Sequence, residues 1–273
     1  MGKPCRLAGE MTLSSFDEFM TVAGETLAAW WRDTRLSASI LSPLAPPPGD
    51  GAARARADAV RAFPIAGAAF GLIAGASLMT ASWLGLHPLA SAFVGVTVAA
   101  VLSGAAGETG LAKFADGFGG QSAESRLKLM GGGRLGPHGV LALVLGIGLR
   151  AAVLAGLPGP GTAALVLISA GAASRAVLPI AMVRLKAVRR DGMAAIGQPD
   201  DGGVTIGGLL GIALTLLFLS PLAGIAAVGA AVGAAAALAT LARRRLGGYT
   251  GDVLGAIQQV TELSVLIAVA ASL

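Results

Sequence analysis

Apolar residues form long runs over most of this chain, and polar residues are largely confined to the segments between them. From Phe63 onward the runs predict seven helices, at roughly 64–84, 89–106, 138–157, 162–183, 204–220, 222–241 and 253–272. A run of about twenty apolar residues can cross a hydrocarbon layer of roughly 30 Å. The pattern therefore predicts an all-α polytopic membrane bundle of about seven spans, the fifth being the weakest because glycines crowd its start.

The first part of the chain follows a different pattern. Apolar residues recur there at helical spacing, and Trp30 and Trp31 stand next to Arg32, which predicts an amphipathic helix. Such a helix suits the headgroup region of a membrane, and it suits equally well the core of a small soluble segment. The proline-rich stretch 42–52 predicts a linker. We therefore predict an amphipathic and linker region over 1–62 and a transmembrane domain over 63–273.

Composition supports the membrane interpretation. Of the 273 residues, 55% are hydrophobic and only 13% are charged, whereas soluble domains carry about 25% charged residues. The net charge of +5 would suit a nucleic-acid partner, but no basic stripe with interleaved aromatic residues is present, so none is expected. Cys5 is the only cysteine, which excludes a disulfide framework. We expect no cleavable signal peptide, because no basic stretch and apolar core begin the sequence.

The basic connections all fall on one side of the predicted membrane. The joins near 85–88, 158–161 and 221 contain no lysine or arginine, whereas the alternate connections contain several. Positively charged loops normally stay in the cytoplasm, which predicts a cytoplasmic N-terminus and an outer C-terminus. Most acidic residues lie in the same connections, so we expect polar chemistry at the cytoplasmic surface.

Three ionisable residues lie inside predicted spans, where charges are costly and are usually paired or face a cavity. Arg175 and Glu262 are predicted to form a buried pair, which either clamps two helices together or faces a substrate. Arg150 is nearer the outer end of its span, and we expect its side chain only to extend towards the surface.

Two connections contain candidate chemistry. Glu108 and Asp116 share one face of a helix if their connection is helical, and two carboxylates can bind Mg²⁺, although acids in such a loop are more often solvated. In the last connection, Gly248 allows close approach of a ligand, while Thr250 and Asp252 offer a hydroxyl and a carboxylate at a helix start. This arrangement suits phosphate binding, or simply a glycine turn followed by a helix cap.

Four segments in order resemble the cobalamin synthase family, the adenosylcobinamide-GDP ribazoletransferases. They are "RAFPIAGAAFGLIAG" (61–75), "GLAKFADGFGG" (110–120), "RLKLMGGGRLGPHGVLALVL" (126–145) and "GGYTGDVLGAIQQVTE" (247–262). The resemblance implies a transferase of the last steps of cobalamin biosynthesis, in the inner membrane and with its active face in the cytoplasm. It would join adenosylcobinamide-GDP to α-ribazole, or to its 5′-phosphate, and release GMP. Expected partners are these substrates, the lipid bilayer and other cobamide-assembly enzymes.

The resemblance also implies roles for particular residues. Mg²⁺ is the implied cofactor, with Glu108, Asp116 and Asp252 as its ligands. These three acids and Arg134 are the implied catalytic residues. The implied substrate contacts are Thr250, Gly251, Gly248, Arg175 and Glu262.

The chain departs from the family's acidic signature at three positions. Gly107 stands where the family has histidine, and Thr109 and Lys113 stand where it has aspartate. We expect Lys113 to pair with Asp116 at the i+3 position and to weaken Mg²⁺ binding. Three hypotheses follow: an active ribazoletransferase, a relative that binds corrinoid or nucleotide without turnover, or a small membrane transporter or scaffold. The scarcity of polar residues on the outer side counts against the transporter.

Overall fold

The computed structural model describes residues 13–45 and 57–273, which are almost entirely helical and confirm the predicted all-α membrane bundle. Short 3-10 turns occupy Ala59–Ala62, Gly117–Gly119 and Gly192–Ile196. The α-helices of these described ranges are α1 (Leu13–Leu41), α2 (Phe63–Trp83), α3 (Pro88–Leu102), α4 (Ala106–Asp116), α5 (Ala123–Met130), α6 (Pro137–Ala155), α7 (Pro160–Arg184), α8 (Asp201–Leu217), α9 (Pro221–Leu246) and α10 (Gly251–Ala270).

All seven apolar runs form helices, but they differ in length. By length and composition, α2, α6, α7, α9 and α10 can each cross a membrane, and α8 is a shorter apolar helix. The second run ends earlier than predicted, at Leu102, because Gly104 and Ala105 adopt left-handed backbone conformations with φ of 59° and 53°. Helix α3 and the segment 106–119 together form a pair bent by 89°, which counts as a sixth span or a re-entrant loop.

Proline and glycine explain much of this architecture. Helices α2, α3, α6, α7 and α9 each have proline in the first turn, where the missing N–H has no helical partner to lose. Gly67, Gly71 and Gly75 form one stripe of α2, which packs directly on α7. A Cβ atom added at Gly67 would lie 2.2 Å from the carbonyl oxygen of Gly171. Small residues therefore bring these two backbones into contact, as is usual between membrane helices.

The described part of the N-terminal region is helical, as predicted, and α1 continues to Leu41. The chain divides into two compact units between Arg32 and Asp33, within this helix. In the second unit, Arg61 Nε donates a hydrogen bond to Asp33 at 2.7 Å, which fixes the end of α1 to the turn before α2. Most of the predicted linker, residues 46–52, lies outside the described residues. The predicted domain boundary after residue 62 stays a prediction.

The basic connections meet at one end of the bundle, which confirms that they share a side. Tyr249 N donates to Lys186 O at 2.8 Å, and Val188 N donates to Tyr249 O at 2.9 Å. Arg126 Nη1 also donates to Arg245 O at 3.3 Å, so that the connections after α4, α7 and α9 contact one another. We call this the basic end of the bundle.

Candidate functional site

Four charged side chains from four helices form a buried group that we call the deep cluster. Glu262 of α10 accepts hydrogen bonds from Arg175 Nη1 at 2.7 Å and from Arg150 Nη1 at 3.3 Å. The second terminal nitrogen of Arg150 donates to Glu108 at 3.0 Å. Each residue is only 3% to 6% exposed. The charges therefore alternate in the order Glu108, Arg150, Glu262, Arg175, and they sum to zero.

The deep cluster confirms one prediction and corrects another. Arg175 and Glu262 form the predicted buried pair. The expectation that Arg150 extends to the outer surface is wrong, because Glu108 and Glu262 draw its guanidinium into the bundle. Gln258 adds a further hydrogen bond, from Nε2 to Glu262 Oε2 at 2.6 Å. Glu108 Oε2 has no hydrogen-bond partner among the described residues.

A cavity of about 510 Å³ opens beside the deep cluster, between the α3–α4 break, α7 and α10. We call it the α4–α10 cavity. Arg175 of the deep cluster lines this cavity, and so does Gln258, which donates to Glu262. Two other implied site residues, Gly251 and Asp252, also line it. Its wall also contains all three positions at which the chain departs from the acidic signature, namely Gly107, Thr109 and Lys113.

A second group of four charges, the mouth cluster, surrounds the N-terminus of α10. Asp252 accepts a hydrogen bond from Arg189 Nη2 at 2.9 Å, and its other oxygen lies 3.5 Å from Lys113 Nζ. Arg189 Nε also pairs with Asp191, whose Oδ1 accepts the Gly251 N–H at 3.0 Å. These four charged side chains are between 14% and 39% exposed, so water reaches all of them.

Lys113 contacts a different partner from the one predicted. Helical spacing suggested Asp116, whereas the structure pairs the ammonium with Asp252 of α10. The reason is the close packing of α4 on α10. A Cβ atom at Gly110 would lie 2.5 Å from the carbonyl oxygen of Asp252, so this glycine brings the two helices into contact and Lys113 within reach.

Asp116 instead caps a neighbouring helix. Its two carboxylate oxygens accept the N–H groups of Gly136 and Gly139, each at 2.7 Å. These groups belong to the first turn of α6, which has no side-chain cap of its own. An aspartate from another helix therefore satisfies donors that would otherwise lack a helical partner.

The three implied metal ligands lie in three different places. Glu108 belongs to the deep cluster, Asp116 caps α6, and Asp252 belongs to the mouth cluster. Within residues 13–45 and 57–273 no three histidine, cysteine or acidic residues are grouped so that they could hold a metal ion. Asp252 is also in contact with two cations already. The residues implied for Mg²⁺ thus do not form a site for that ion.

The remaining implied residues lie outside the α4–α10 cavity. Arg134 is exposed and borders an open groove formed by residues 119–134. Thr250 is buried and caps α10, its hydroxyl accepting Val253 N–H at 3.3 Å. Gly248 provides a close approach, but to the carbonyl oxygen of Lys186, which a Cβ atom would meet at 1.9 Å. Burial raises the pKa of the neighbouring Tyr249 hydroxyl above its ordinary value.

Sequence reasoning missed two residues of the mouth cluster. Arg189 and Asp191 lie in the connection between α7 and α8, which the sequence marks only as one of the connections rich in charge. Asp191 contacts Gly251 next to a parallel contact between Ala187 and Tyr249. That contact joins segments about sixty residues apart, and neither segment has a local pattern that predicts it.

Apolar helices around a charged cavity define a multi-pass membrane protein with an internal polar site near its basic end. The family model described as cobalamin-5-phosphate synthase matches residues 33–270, and the chain belongs to this family. The predicted resemblance is thereby confirmed, and the match begins earlier than the first resembling segment, within α1.

Similar proteins are named adenosylcobinamide-GDP ribazoletransferase. The protein of Allorhizobium ampelinum is 40% identical over 221 residues, which are 78% of this chain and 85% of the relative. That of Azorhizobium caulinodans is 42% identical, covering 76% and 82%. That of Bradyrhizobium diazoefficiens is 38% identical, covering 90% and 96%. No solved structure matches the chain.

Proposed function

We propose that this protein is an adenosylcobinamide-GDP ribazoletransferase of the bacterial inner membrane. It joins adenosylcobinamide-GDP to α-ribazole, or to its 5′-phosphate, and releases GMP at the cytoplasmic face. One observation carries the proposal. Two of the segments that resemble the family, in α4 and α10, pack against each other and line the same cavity. The family relationship supplies the substrates.

Glycines make this packing possible. A Cβ atom at Gly255 would lie 2.8 Å from the carbonyl oxygen of Ala106, and one at Gly107 would lie 2.3 Å from the side chain of Gln258. A larger residue at Gly255 would meet the backbone of α4 and force the two helices apart. Lys113 would then move away from Asp252, which its ammonium approaches at 3.5 Å.

The size of the cavity restricts what part of the substrates reacts there. Small-molecule sites in proteins occupy roughly 300–1,000 Å³, and the α4–α10 cavity, at about 510 Å³, is of that size. It suits the diphosphate and an adjoining sugar rather than a whole corrinoid. The basic end of the bundle is the end we propose to be cytoplasmic, following the charge of its loops.

The proposed reaction is a displacement at phosphorus. A ribazole hydroxyl attacks the phosphate that stays on cobinamide, the new O–P bond forms, and the P–O bond to GMP breaks. Lys113 holds the negative charge that develops on the phosphate oxygens, and Asp252 accepts the proton of the hydroxyl. Magnesium dependence stays a prediction from the resemblance, and no step is assigned to the ion because its implied ligands are dispersed.

The test is an assay with purified protein in lipid nanodiscs. The protein is incubated with adenosylcobinamide-GDP and α-ribazole, and the cobalamin product and GMP are measured by mass spectrometry. We expect both products in equal amounts. Asp252→Asn should lower the rate at least about 100-fold, because the amide neither accepts the proton nor balances the two cations. Glu124→Gln, on the exposed start of α5, is the control and should keep the rate.

A second candidate function is binding without turnover. The specific observation in its favour is that both oxygens of Asp252 are already occupied by cations, Lys113 and Arg189. If the folded wild type binds adenosylcobinamide-GDP and forms no product above the protein-free control, the transferase proposal is wrong and this candidate replaces it.

A further inference from the structure

Lys113 is the least engaged charge of the mouth cluster. Its ammonium lies in the wall of the α4–α10 cavity, about one third exposed, and the contact that the structure shows for it is the 3.5 Å approach to Asp252. A lysine ammonium has three donors. Since one long contact satisfies at most one of them, the others can bind a ligand inside the cavity.

Arg189 holds the mouth cluster together without Lys113. Its guanidinium bridges Asp252 and Asp191, and Asp191 in turn accepts the Gly251 N–H. A guanidinium that spans two carboxylates is fixed by geometry as well as by charge. Lys113 can consequently leave Asp252 for an anionic ligand while Asp252 keeps a partner.

The same position is unfavourable for a divalent cation. A metal ion bound to the Asp252 oxygen that faces Lys113 would lie within a few ångströms of the ammonium, and charges of the same sign repel strongly at that distance. The second oxygen of Asp252 is held by Arg189 at 2.9 Å. The nearest further acid of the cavity, Asp191, is paired with the same arginine.

We propose that Lys113 is the phosphate-binding cation of the α4–α10 cavity, and that it occupies the position in which a divalent cation would contact Asp252. The cavity then binds a nucleoside diphosphate group without a divalent metal. Lys113 approaches the phosphates from α4, and Arg175 closes the inner end of the cavity. This inference rests on the proposed function, since the diphosphate belongs to the proposed substrate.

The experiment measures binding rather than turnover. GDP is the probe for the diphosphate and Mn²⁺ is the probe for a divalent cation, both with the full chain in nanodiscs. In the wild type we expect GDP binding by calorimetry to be unchanged when EDTA is added, and we expect no stoichiometric Mn²⁺ signal by electron paramagnetic resonance. GDP binding that disappears in EDTA, or no GDP binding to the folded protein, would overturn the proposal.

Three variants test the role of Lys113 itself. Lys113→Gln should weaken GDP binding at least tenfold in EDTA, and unchanged binding would contradict the proposal. Lys113→Asp should lose GDP binding in EDTA and gain a Mn²⁺ site with Asp252, whereas no gain of Mn²⁺ would show that the lysine does not exclude the metal. Lys128→Gln, a lysine of α5 outside the cavity, is the matched control and should bind GDP like the wild type.

The outcomes separate this inference from the proposed function. Lys113-dependent GDP binding in EDTA, from a protein that forms no cobalamin, would sustain the inference and refute the transferase. Cobalamin formation by a protein whose GDP binding requires Mn²⁺ would refute the inference and sustain the transferase. Thermal unfolding of each variant shows that it is folded before its binding is interpreted.

Discussion

The deep cluster and the mouth cluster contain the same charges, two positive and two negative, yet they differ in almost everything else. Side chains of the deep cluster are 3% to 8% exposed, and Glu262 joins both of its arginines. Side chains of the mouth cluster reach 39% exposure, and Lys113 is held by one long contact. Burial, rather than the kind of charge, therefore distinguishes a permanent clamp from a group that can exchange its partner for a substrate.

The energetic consequence follows from solvation. Removing one partner of a buried ion pair leaves a desolvated charge and costs about 3–5 kcal/mol, whereas an exposed pair contributes about 0–1 kcal/mol. We therefore expect changes in the deep cluster to lower the free energy of unfolding. Changes in the mouth cluster should alter ligand binding and leave that free energy nearly constant.

The largest effect on stability is expected for Glu262→Gln. The neutral amide cannot balance Arg150 and Arg175, so the free energy of unfolding should fall by about 3–5 kcal/mol. Denaturant unfolding in detergent, followed by circular dichroism, measures this change. Glu124→Gln removes an exposed acid and serves as the control. If Glu262→Gln and Glu124→Gln had the same free energy of unfolding, the deep cluster would not be a stabilising clamp.

A double-mutant cycle on Glu108 and Arg150 should show the next largest effect. Arg150→Met alone leaves Glu108 without its one hydrogen-bond partner among the described residues, and should cost about 3 kcal/mol. Adding Glu108→Gln should recover part of that loss, because the remaining amide is uncharged. A coupling energy near zero in unfolding experiments would mean that the two residues do not act as a pair.

Asp116→Asn tests an acid that belongs to neither cluster. The amide group has one acceptor oxygen for the two N–H groups of α6, so we expect a loss of about 1 kcal/mol, typical of a helix cap. If Asp116 instead binds Mg²⁺, as the resemblance implies, the variant should lose magnesium-dependent activity. Unfolding and activity measured on the same preparation decide between a structural and a metal-binding role.

The smallest effect on stability is expected for Asp252→Asn, although its effect on transfer is large. The pair with Arg189 is partly exposed, so the free energy of unfolding should change by less than about 1 kcal/mol. A large loss of stability in denaturant unfolding would show that the mouth cluster is a second clamp. The loss of activity in the Asp252→Asn variant would then have a structural cause.

Most of the fold could be predicted from the chain because apolar length is a local property. Each long apolar run became a helix, and Pro137, Pro160 and Pro221 begin theirs. The α3–α4 break could not be predicted, because the second left-handed residue is Ala105, and alanine shows no local preference for that conformation. The apolar run 89–106 therefore contains no local signal of the break.

The candidate site was harder to predict because its contacts are tertiary. Helical spacing predicted Asp116 as the partner of Lys113, which is wrong, because spacing contains no information on α10, which supplies Asp252. Arg150 was misplaced for the same reason, since depth in a span does not reveal two acids on other helices. Only Arg175 and Glu262, both central in their spans, could be paired from sequence.

The deep cluster also sets an order of events during synthesis. Glu108 and Arg150 emerge early and can neutralise each other as soon as α6 packs on α4. Arg175 enters the membrane with α7, while its partner Glu262 is made almost ninety residues later, in the last helix. Until α10 arrives, α7 holds an uncompensated positive charge in a lipid environment, where such charges are unstable. Synthesis of α10 is therefore the step that makes the deep cluster electrically neutral.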